Sequence, residues 1–319
     1  MREIEDQAQV ANDLPIMVAI PTCNRFEDLG RCLASLSPLE YASWSILIVD
    51  QSDDHRAEQL VAQFRGRSEI PIRYQHMTVK GLSRARNVAI EEAGDRIIAF
   101  LDDDCTVPSD WLQSIASIYL RHPTVSIVYG AVIPEQIADD SCVPSHSVTY
   151  ERFYDTRRGD GPLHFGIGAS FILWPSRFPH RLFFDVHLGP GAAFCGSDEH
   201  DYTLRAMLSG VKVMETPAIA VIHFGGRRIS TGEASTYFRR AYFGTGAMHM
   251  KHLRLGNRVA VAMILHSLNY TIRCINLRAL VLRSGSSHIA RVVMYLLGLV
   301  ASFRFRVDRK TRNYVSRAR

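Results

Sequence analysis
The sequence predicts an α/β fold built on a mostly parallel sheet flanked by helices, and three observations predict it. Short apolar runs alternate with helix-period segments from residue 16 to residue 101. Several runs end on polar residues, Thr22, Asp50 and Asp102 to Asp104, as strands do where a parallel sheet opens to a ligand. The chain has 319 residues, 47% of them hydrophobic and 22% charged, enough for one large core or two smaller ones.

Ile16 to Ile20 is a continuous apolar run of buried-strand type, ended by Pro21 and Thr22. Phe26, Leu29, Leu33 and Leu36 then recur at helical intervals between Arg25 and Leu36. Ser45 to Val49 reads as the second strand, closing at Asp50, and Glu58 to Phe64 as the second helix. Ile70 to Gln75 is a short strand with Pro71 at its start. Ser83 to Ala93 is a helix that Gly94 ends, and Ile97 to Leu101 is the strand before the aspartates. Strands joined through helices run parallel, and open parallel sheets take ligands outside the carboxyl ends of their strands. Thr22, Asp50 and the aspartates therefore converge on one site.

Asp102, Asp103 and Asp104 close the apolar run from Arg96 to Leu101. Carboxylate oxygens are hard ligands suited to Mg²⁺ or Mn²⁺, and either ion bridges protein carboxylates to a nucleotide diphosphate. The alternative is an acidic turn capping the next helix, which Pro108-Ser109-Asp110 starts before Trp111. Ser109 or Asp110 suffices as a cap, so capping leaves three consecutive acids unexplained.

Four separated motifs stand in order: Val18-Ala-Ile-Pro-Thr-Cys-Asn-Arg25, Leu47-Ile-Val-Asp-Gln-Ser-Asp53, Gly81-Leu-Ser-Arg-Ala-Arg-Asn87 and Phe100-Leu-Asp-Asp-Asp104. Together they resemble family 2 glycosyltransferases, over about residues 16 to 225. The resemblance implies a GT-A fold, Rossmann-like, with a helical C-terminal extension. It implies inverting transfer of a sugar from a nucleotide-diphosphate donor to a hydroxyl acceptor, with Mn²⁺ or Mg²⁺ as cofactor. It places Pro21, Thr22, Asn24, Arg25, Asp50, Arg86, Asp102 and Asp103 on the nucleotide sugar and Asp104 on the metal.

His223, in Ala220-Val-Ile-His-Phe-Gly-Gly226, matches a histidine that completes the metal or diphosphate site in metal-dependent relatives. By its residues alone, a lone histidine on an apolar strand is usually a satisfied core group. Gly196-Ser-Asp-Glu-His-Asp-Tyr-Thr-Leu-Arg205 resembles the family's Glu-Asp-x-Asp signature with the first two acids exchanged. Aligned through Asp201 and Arg205, Asp198 falls on the family's Glu and Glu199 on its catalytic Asp. Glu199 is then the general base, with Asp198 the neighbouring candidate; an acidic first turn favoured by the helix dipole is the other reading, and Asp201 fits it too. The same resemblance sees a loop toward the acceptor in Phe183 to Gly191 and a strand under the donor sugar in Gly168-Ala-Ser170. Arg227 and Arg228 either clamp a diphosphate or are surface charge.

By this reading the chain divides into a leader (1–14), a catalytic domain (15–232) and a helical, basic C-terminal region (233–319). The catalytic domain splits into a nucleotide-sugar and metal half (15–130) and an acceptor half (131–232). Val259 to Leu265 and Ile289 to Phe303 are the most apolar C-terminal stretches, but His266, Asn269, Arg273 and Arg291 interrupt or flank them. Neither meets the ~20 apolar residues that a membrane span requires. Two readings stay open: amphipathic helices on the inner leaflet, with Arg304, Arg306, Arg309, Lys310 and Arg312 toward acidic headgroups, or a cap on the catalytic domain or a dimer contact. His249 and His252 read as structural or surface residues.

The formal net charge of +5 is concentrated between Arg304 and Arg319, and no nucleic-acid partner is expected. Six cysteines lie scattered without a CxxC pair, which excludes a zinc ribbon or redox motif and fits a reducing compartment. The acidic N-terminus lacks an apolar core, so no secretory signal is expected. The expected location is cytoplasmic, with the inner face of the cell membrane as a peripheral site. No Walker loop, no GxGxxG after the first strand and no nucleophile elbow occurs. The acceptor expected is a saccharide or lipid-linked saccharide in surface polysaccharide or glycolipid assembly. Two alternatives are a polyprenyl-phosphate glycosyltransferase, whose ionised acceptor needs little general base, and an inactive scaffold of the same fold.

Overall fold
The computed structural model describes residues 13–135, 140–155, 165–274 and 285–317, so nearly all of the leader lies outside the described residues. The first half alternates β1 (Ile16–Thr22), α1 (Phe26–Leu36), β2 (Trp44–Asp50), α2 (Arg56–Arg65), β3 (Ile72–His76), α3 (Leu82–Glu92) and β4 (Ile97–Leu101). Then come β5 (Cys105–Thr106), α4 (Trp111–Arg121), β6 (Val125–Pro134), β7 (Ser141–Cys142), β8 (Arg152–Tyr154) and β9 (Ser170–Leu173). They are followed by α5 (Asp198–Met207), β10 (Lys212–His223) and β11 (Arg227–Arg228). The C-terminal region adds α6 (Glu233–Arg254), α7 (Val259–Cys274), α8 (Gly285–Ala301), β12 (Phe305–Val307) and β13 (Tyr314–Ser316).

β1 lies between β2 and β4, all three parallel, with β3 parallel outside β2. The chain winds from β1 toward β3 and then returns to the other side of β1, so the strand order reverses beside β1 and a crevice opens at the carboxyl ends. Thr22 stands opposite Asp50 in this register, and the three aspartates follow β4 directly. The second half departs from a purely parallel arrangement. β9 runs antiparallel between β4 and β6, β10 runs parallel to β6, and β5 and β8 pair antiparallel with β10. No described helix separates β6 from β9, and a strand that returns without a crossover helix runs antiparallel.

Helices cover both faces of the sheet. On one face Leu29, Cys32, Leu33 and Leu36 of α1 form a buried stripe at helical spacing, joined by Ala57 and Val61 of α2 and Trp111 and Ile115 of α4. On the other, α3 and α5 pack with Phe100, Phe171, Phe184 and Tyr202, the last two rings stacked at 4.3 Å. Each such buried side chain contributes about 1.5–3 kcal/mol relative to exposure.

A third apolar cluster joins Leu188, Phe194 and Leu204 to Ala247, Met248, Met263 and Tyr314, so the C-terminal region packs on α5. Residues 305–316 correct the reading of that region as helical throughout, because β12 and β13 pair as an antiparallel hairpin. Phe305, Val307 and Tyr314 favour extended backbone, and Asp308 Oδ1 accepts the Lys310 N–H at 2.7 Å to make the turn. No described helix is long and apolar enough to cross a membrane. The outer faces of α7 and α8 do expose Leu265, Val293, Leu297 and Val300.

Candidate active site
The loop after β1 turns onto the aspartates. Thr22 donates its hydroxyl to Asp103 Oδ2 at 2.7 Å, and Arg25 Nη1 reaches Asp103 Oδ1 at 3.2 Å and Asp104 Oδ2 at 2.9 Å. Burial opposes the Arg25 charge, but Asp103 and Asp104 together raise its pKa further above the ordinary value. Asn24, in the left-handed region at φ 58°, ties this loop to the one after β2. Its N–H meets Ser52 Oγ at 2.7 Å and its Nδ2 meets Asp53 Oδ2 at 2.9 Å. Pro21 lies opposite Val49. Asp50 is fully buried, with the Ser52 N–H on one oxygen at 2.8 Å and the Tyr74 hydroxyl on the other at 2.7 Å. Asp110 occupies the N-cap position of α4 without a side-chain capping bond, and Asp103 and Asp104 bond Thr22 and Arg25 instead of a helix end.

β10 brings the histidine to the same place, because its end pairs with β5 and sets His223 opposite Cys105. His223 Nε2 lies 3.4 Å from Asp104 Oδ1, and both residues are buried. Nδ1 accepts the Gly225 N–H at 3.1 Å, which fixes the ring, and the Phe224 N–H donates to the Asp104 carbonyl at 3.0 Å. A Cβ on Gly225 would overlap Asp104 Oδ2, so only glycine lets this backbone close over the carboxylate. Arg227 Nη2 stands 3.8 Å from the same oxygen. Asp104, Cys105 and His223 offer donor atoms within 4.8 Å of one another. Burial and the neighbouring acids raise the Cys105 thiol; of the other two donors, the carboxylate suits Mn²⁺ or Mg²⁺ and the imidazole suits Mn²⁺ less well than oxygen does.

The second acid pair arrives on α5. Asp198 is buried and its Oδ2 accepts from Arg86 Nη1 at 2.8 Å, while Arg86 Nη2 donates to the Gly168 carbonyl at 3.2 Å and lies 3.7 Å from Asp102 Oδ1. Arg86, which the resemblance puts on the donor, is itself buried and reaches both acid clusters through these contacts. Gly168 is small because any Cβ would collide with this guanidinium. Glu199 follows Asp198 in the first turn of α5 and is half-buried. Burial and the Glu199 charge, against the pull of Arg86, push Asp198 up to about 7. Asp103 is likewise pushed up to about 7, by burial and by Asp104 against Arg25. At full ionisation Asp102, Asp103, Asp104, Asp198 and Glu199 outnumber Arg25, Arg86 and Arg227 by two charges, and a divalent cation would balance that excess.

A sequence comparison decides the family. The family pattern described as Glycosyl transferase family 2 matches residues 17–177, about half of the chain. The chain belongs to glycosyl transferase family 2. It is 30% identical over 103 residues to Glycosyltransferase AglE of Haloferax volcanii, covering 31% of this chain and 33% of that one. It is 26% identical over 143 residues to the UDP-Glc:alpha-D-GlcNAc-diphosphoundecaprenol beta-1,3-glucosyltransferase WfgD of Escherichia coli, covering 44% and 55%. The chain thus spans from a third to just over half the length of these curated relatives. Among solved structures, Mannosyltransferase PcManGT from Pyrobaculum calidifontis in complex with GDP-Man and Mn2+ superposes with a TM-score of 0.57 at 15% identity, over 92% of this chain and 94% of that one. The fold is of the GT-A type.

In this family 2 chain the wall behind the acids is a buried charge network that sequence reading misses. Lys251 of α6 donates to Asp185 Oδ2 at 2.9 Å and Asp201 Oδ1 at 2.6 Å, and all three side chains are fully buried. Asp201 also takes Arg205 Nε at 2.8 Å and His252 Nε2 at 2.9 Å. Asp201 is therefore more than a first-turn acid, and His252 is a core residue, as is His249, whose Nδ1 faces the Tyr295 hydroxyl at 2.9 Å. The Tyr314 N–H from β13 completes Asp185 at 2.7 Å. Tyr237 of α6 was not singled out by any motif. It is 40% exposed and sets its ring 5.8 Å from the Arg227 guanidinium carbon.

Proposed function
We propose that this chain is a metal-dependent inverting glycosyltransferase, moving a sugar from a nucleotide-diphosphate donor to a hydroxyl of a saccharide or lipid-linked saccharide in surface polysaccharide or glycolipid assembly. The observation that carries the reading is Arg86, whose buried guanidinium touches Asp198 and approaches Asp102 and so joins the two acid clusters at one crevice. The GDP-Man and Mn²⁺ of the mannosyltransferase and the lipid-diphosphate acceptor in the name of WfgD support the donor and acceptor classes.

In this mechanism the carboxyl ends of β1, β2 and β4 receive the nucleotide, with Asp50 toward the nucleoside and Arg25 and Arg227 flanking the diphosphate. Asp104 and His223 would hold the ion, which when bound stabilises negative charge on the leaving diphosphate. Glu199 takes the proton of the acceptor hydroxyl. The acceptor oxygen forms its bond to the anomeric carbon on the face opposite the departing diphosphate oxygen, which inverts that centre without a covalent enzyme intermediate. Asp198 and Arg86 position Glu199 and do not touch the acceptor.

Asp104→Ala is expected to lower metal-stimulated donor turnover by about 10²-fold or more while far-ultraviolet circular dichroism stays unchanged. Wild-type activity that persists in excess chelator would remove the metal from this mechanism.

The exposed apolar faces of α7 and α8 are placed against the membrane that carries a lipid-linked acceptor. A Leu297→Asp/Val300→Asp variant is then expected to stay in the supernatant when the wild type sediments with phosphatidylglycerol vesicles. Equal sedimentation of both proteins would sink the membrane placement.

A further inference from the structure
The hairpin of β12 and β13 covers a cavity that the transfer mechanism does not use. Asp308 Oδ2 accepts the Thr311 hydroxyl at 3.1 Å, and Arg312 adopts the left-handed region at φ 57°. The turn so formed brings Arg309, Lys310 and Arg312 to the C-terminal end of α5, where with His180, Arg205 and Ser209 they line a cavity of about 170 Å³. Roughly 10–15 Å³ already admits one water, so a multi-atom ligand has room.

Arg205 forms the buried side of this cavity. Its Nε binds Asp201 and its Nη2 binds the Phe183 carbonyl at 2.9 Å, but Nη1 is buried with no partner. A buried guanidinium N–H without an acceptor is unfavourable, and an anionic oxygen relieves it. Among the described residues Arg309, Lys310 and Arg312 make no ion pair, and Asp201 is already matched by Lys251 as well as Arg205. The C-terminal end of α5 contributes about half a negative charge and Asp308 one more, which Arg205, Arg309, Lys310 and Arg312 outweigh.

We infer that this cavity is an anion site that takes a phosphate group, separate from the donor crevice. Glu199 and Arg205 lie in the first and last turns of the same ten-residue helix, so a ligand on Arg205 sits at the far end of α5 from the reacting groups. Phosphate suits the site better than carboxylate because its three or more oxygens match donors converging from Arg205, Arg309, Lys310 and Arg312, and guanidinium forks favour that geometry. The group is either free phosphate or the phosphate of a lipid headgroup. This inference stands on the cavity alone and survives failure of the transfer mechanism.

The test is calorimetric titration of inorganic phosphate into the full chain. Saturable binding is expected in the wild type, equal binding in Arg227→Ala, and about tenfold or weaker binding in Arg309→Ser/Lys310→Ser/Arg312→Gly, which keeps the left-handed position free of strain. If the triple variant melts early, Lys310→Glu alone, at an exposed position, replaces it with the same direction of change. No saturable binding in the wild type, binding unchanged in these variants, or binding lost in Arg227→Ala would overturn the inference. Phosphatidylglycerol vesicles separate the two sources. Vesicles that hold the wild type better than the triple variant assign the site to a headgroup, whereas equal retention together with the phosphate difference assigns it to free phosphate.

Discussion

Glu199→Gln is expected to slow sugar transfer by about 10²–10⁴-fold at an unchanged melting temperature, the range for loss of a general base. The two neighbouring acids differ in what surrounds them. Asp198 is buried against Arg86, so an acceptor hydroxyl has no approach to it, whereas Glu199 is only half-buried. Asp198→Asn therefore serves as the comparison. It leaves the base in place but loosens its support, and its expected signature is a smaller loss of turnover together with a lower melting temperature. Near-normal turnover in Glu199→Gln would point to an acceptor that is already ionised, as a polyprenyl phosphate is. A larger loss in Asp198→Asn than in Glu199→Gln, at equal stability, would exchange the two roles.

Lys251→Met is expected to destabilise the fold by about 3–5 kcal/mol, because removing one partner of a buried ion pair leaves its acids without compensation. Burial alone would raise Asp185, but Lys251 and His187 bring it down to about 2, and Lys251 and Arg205 hold Asp201 far below the usual carboxylate range. A depressed carboxylate contributes stability that is present above its ordinary value near 4 and is lost as pH falls through the folded value. The wild type should thus lose stability between about pH 4 and pH 2. In Lys251→Met the same acids fold more easily protonated, so the gap between variant and wild type should narrow on acidification. Thermal melts of both proteins across that range read the effect directly, and a constant gap would mean that Lys251 does not set the Asp185 and Asp201 charges.

Much of the nucleotide half is legible from local pattern. The run Ile16 to Ile20 is buried on both faces, and the spacing of Leu29, Leu33 and Leu36 falls on the buried stripe of α1. What pattern does not carry is pairing between distant elements. Ser170 to Leu173 has the composition of any buried strand, and nothing in it announces that it will run antiparallel between β4 and β6. Arg86 suits a phosphate and a carboxylate equally, and only the fold reveals Asp198 within its reach. Asp201 looks like an ordinary first-turn acid because Lys251 and His252 lie about fifty residues further on. The density of Arg and Lys after residue 304 likewise obscures the extended pattern of Phe305, Val307 and Tyr314.

The charge network also sets an order of events during synthesis. A domain begins to fold as its segments leave the ribosome, at about 5–20 residues per second. β1 to β4 and their helices can assemble as soon as they emerge, and with them the strand ends at Thr22, Asp50 and Asp102 to Asp104, whereas His223 and Arg227 follow with β10. Asp185 and Asp201 emerge before the lysine that neutralises them and well before the Tyr314 N–H that completes Asp185. Until then the loop and helix that carry Glu199 rest on two acids that resist burial, so the strand ends of the first half are in place before the helix of the proposed base is. In the proposed mechanism, the surface that receives the nucleotide therefore forms before the group that activates the acceptor.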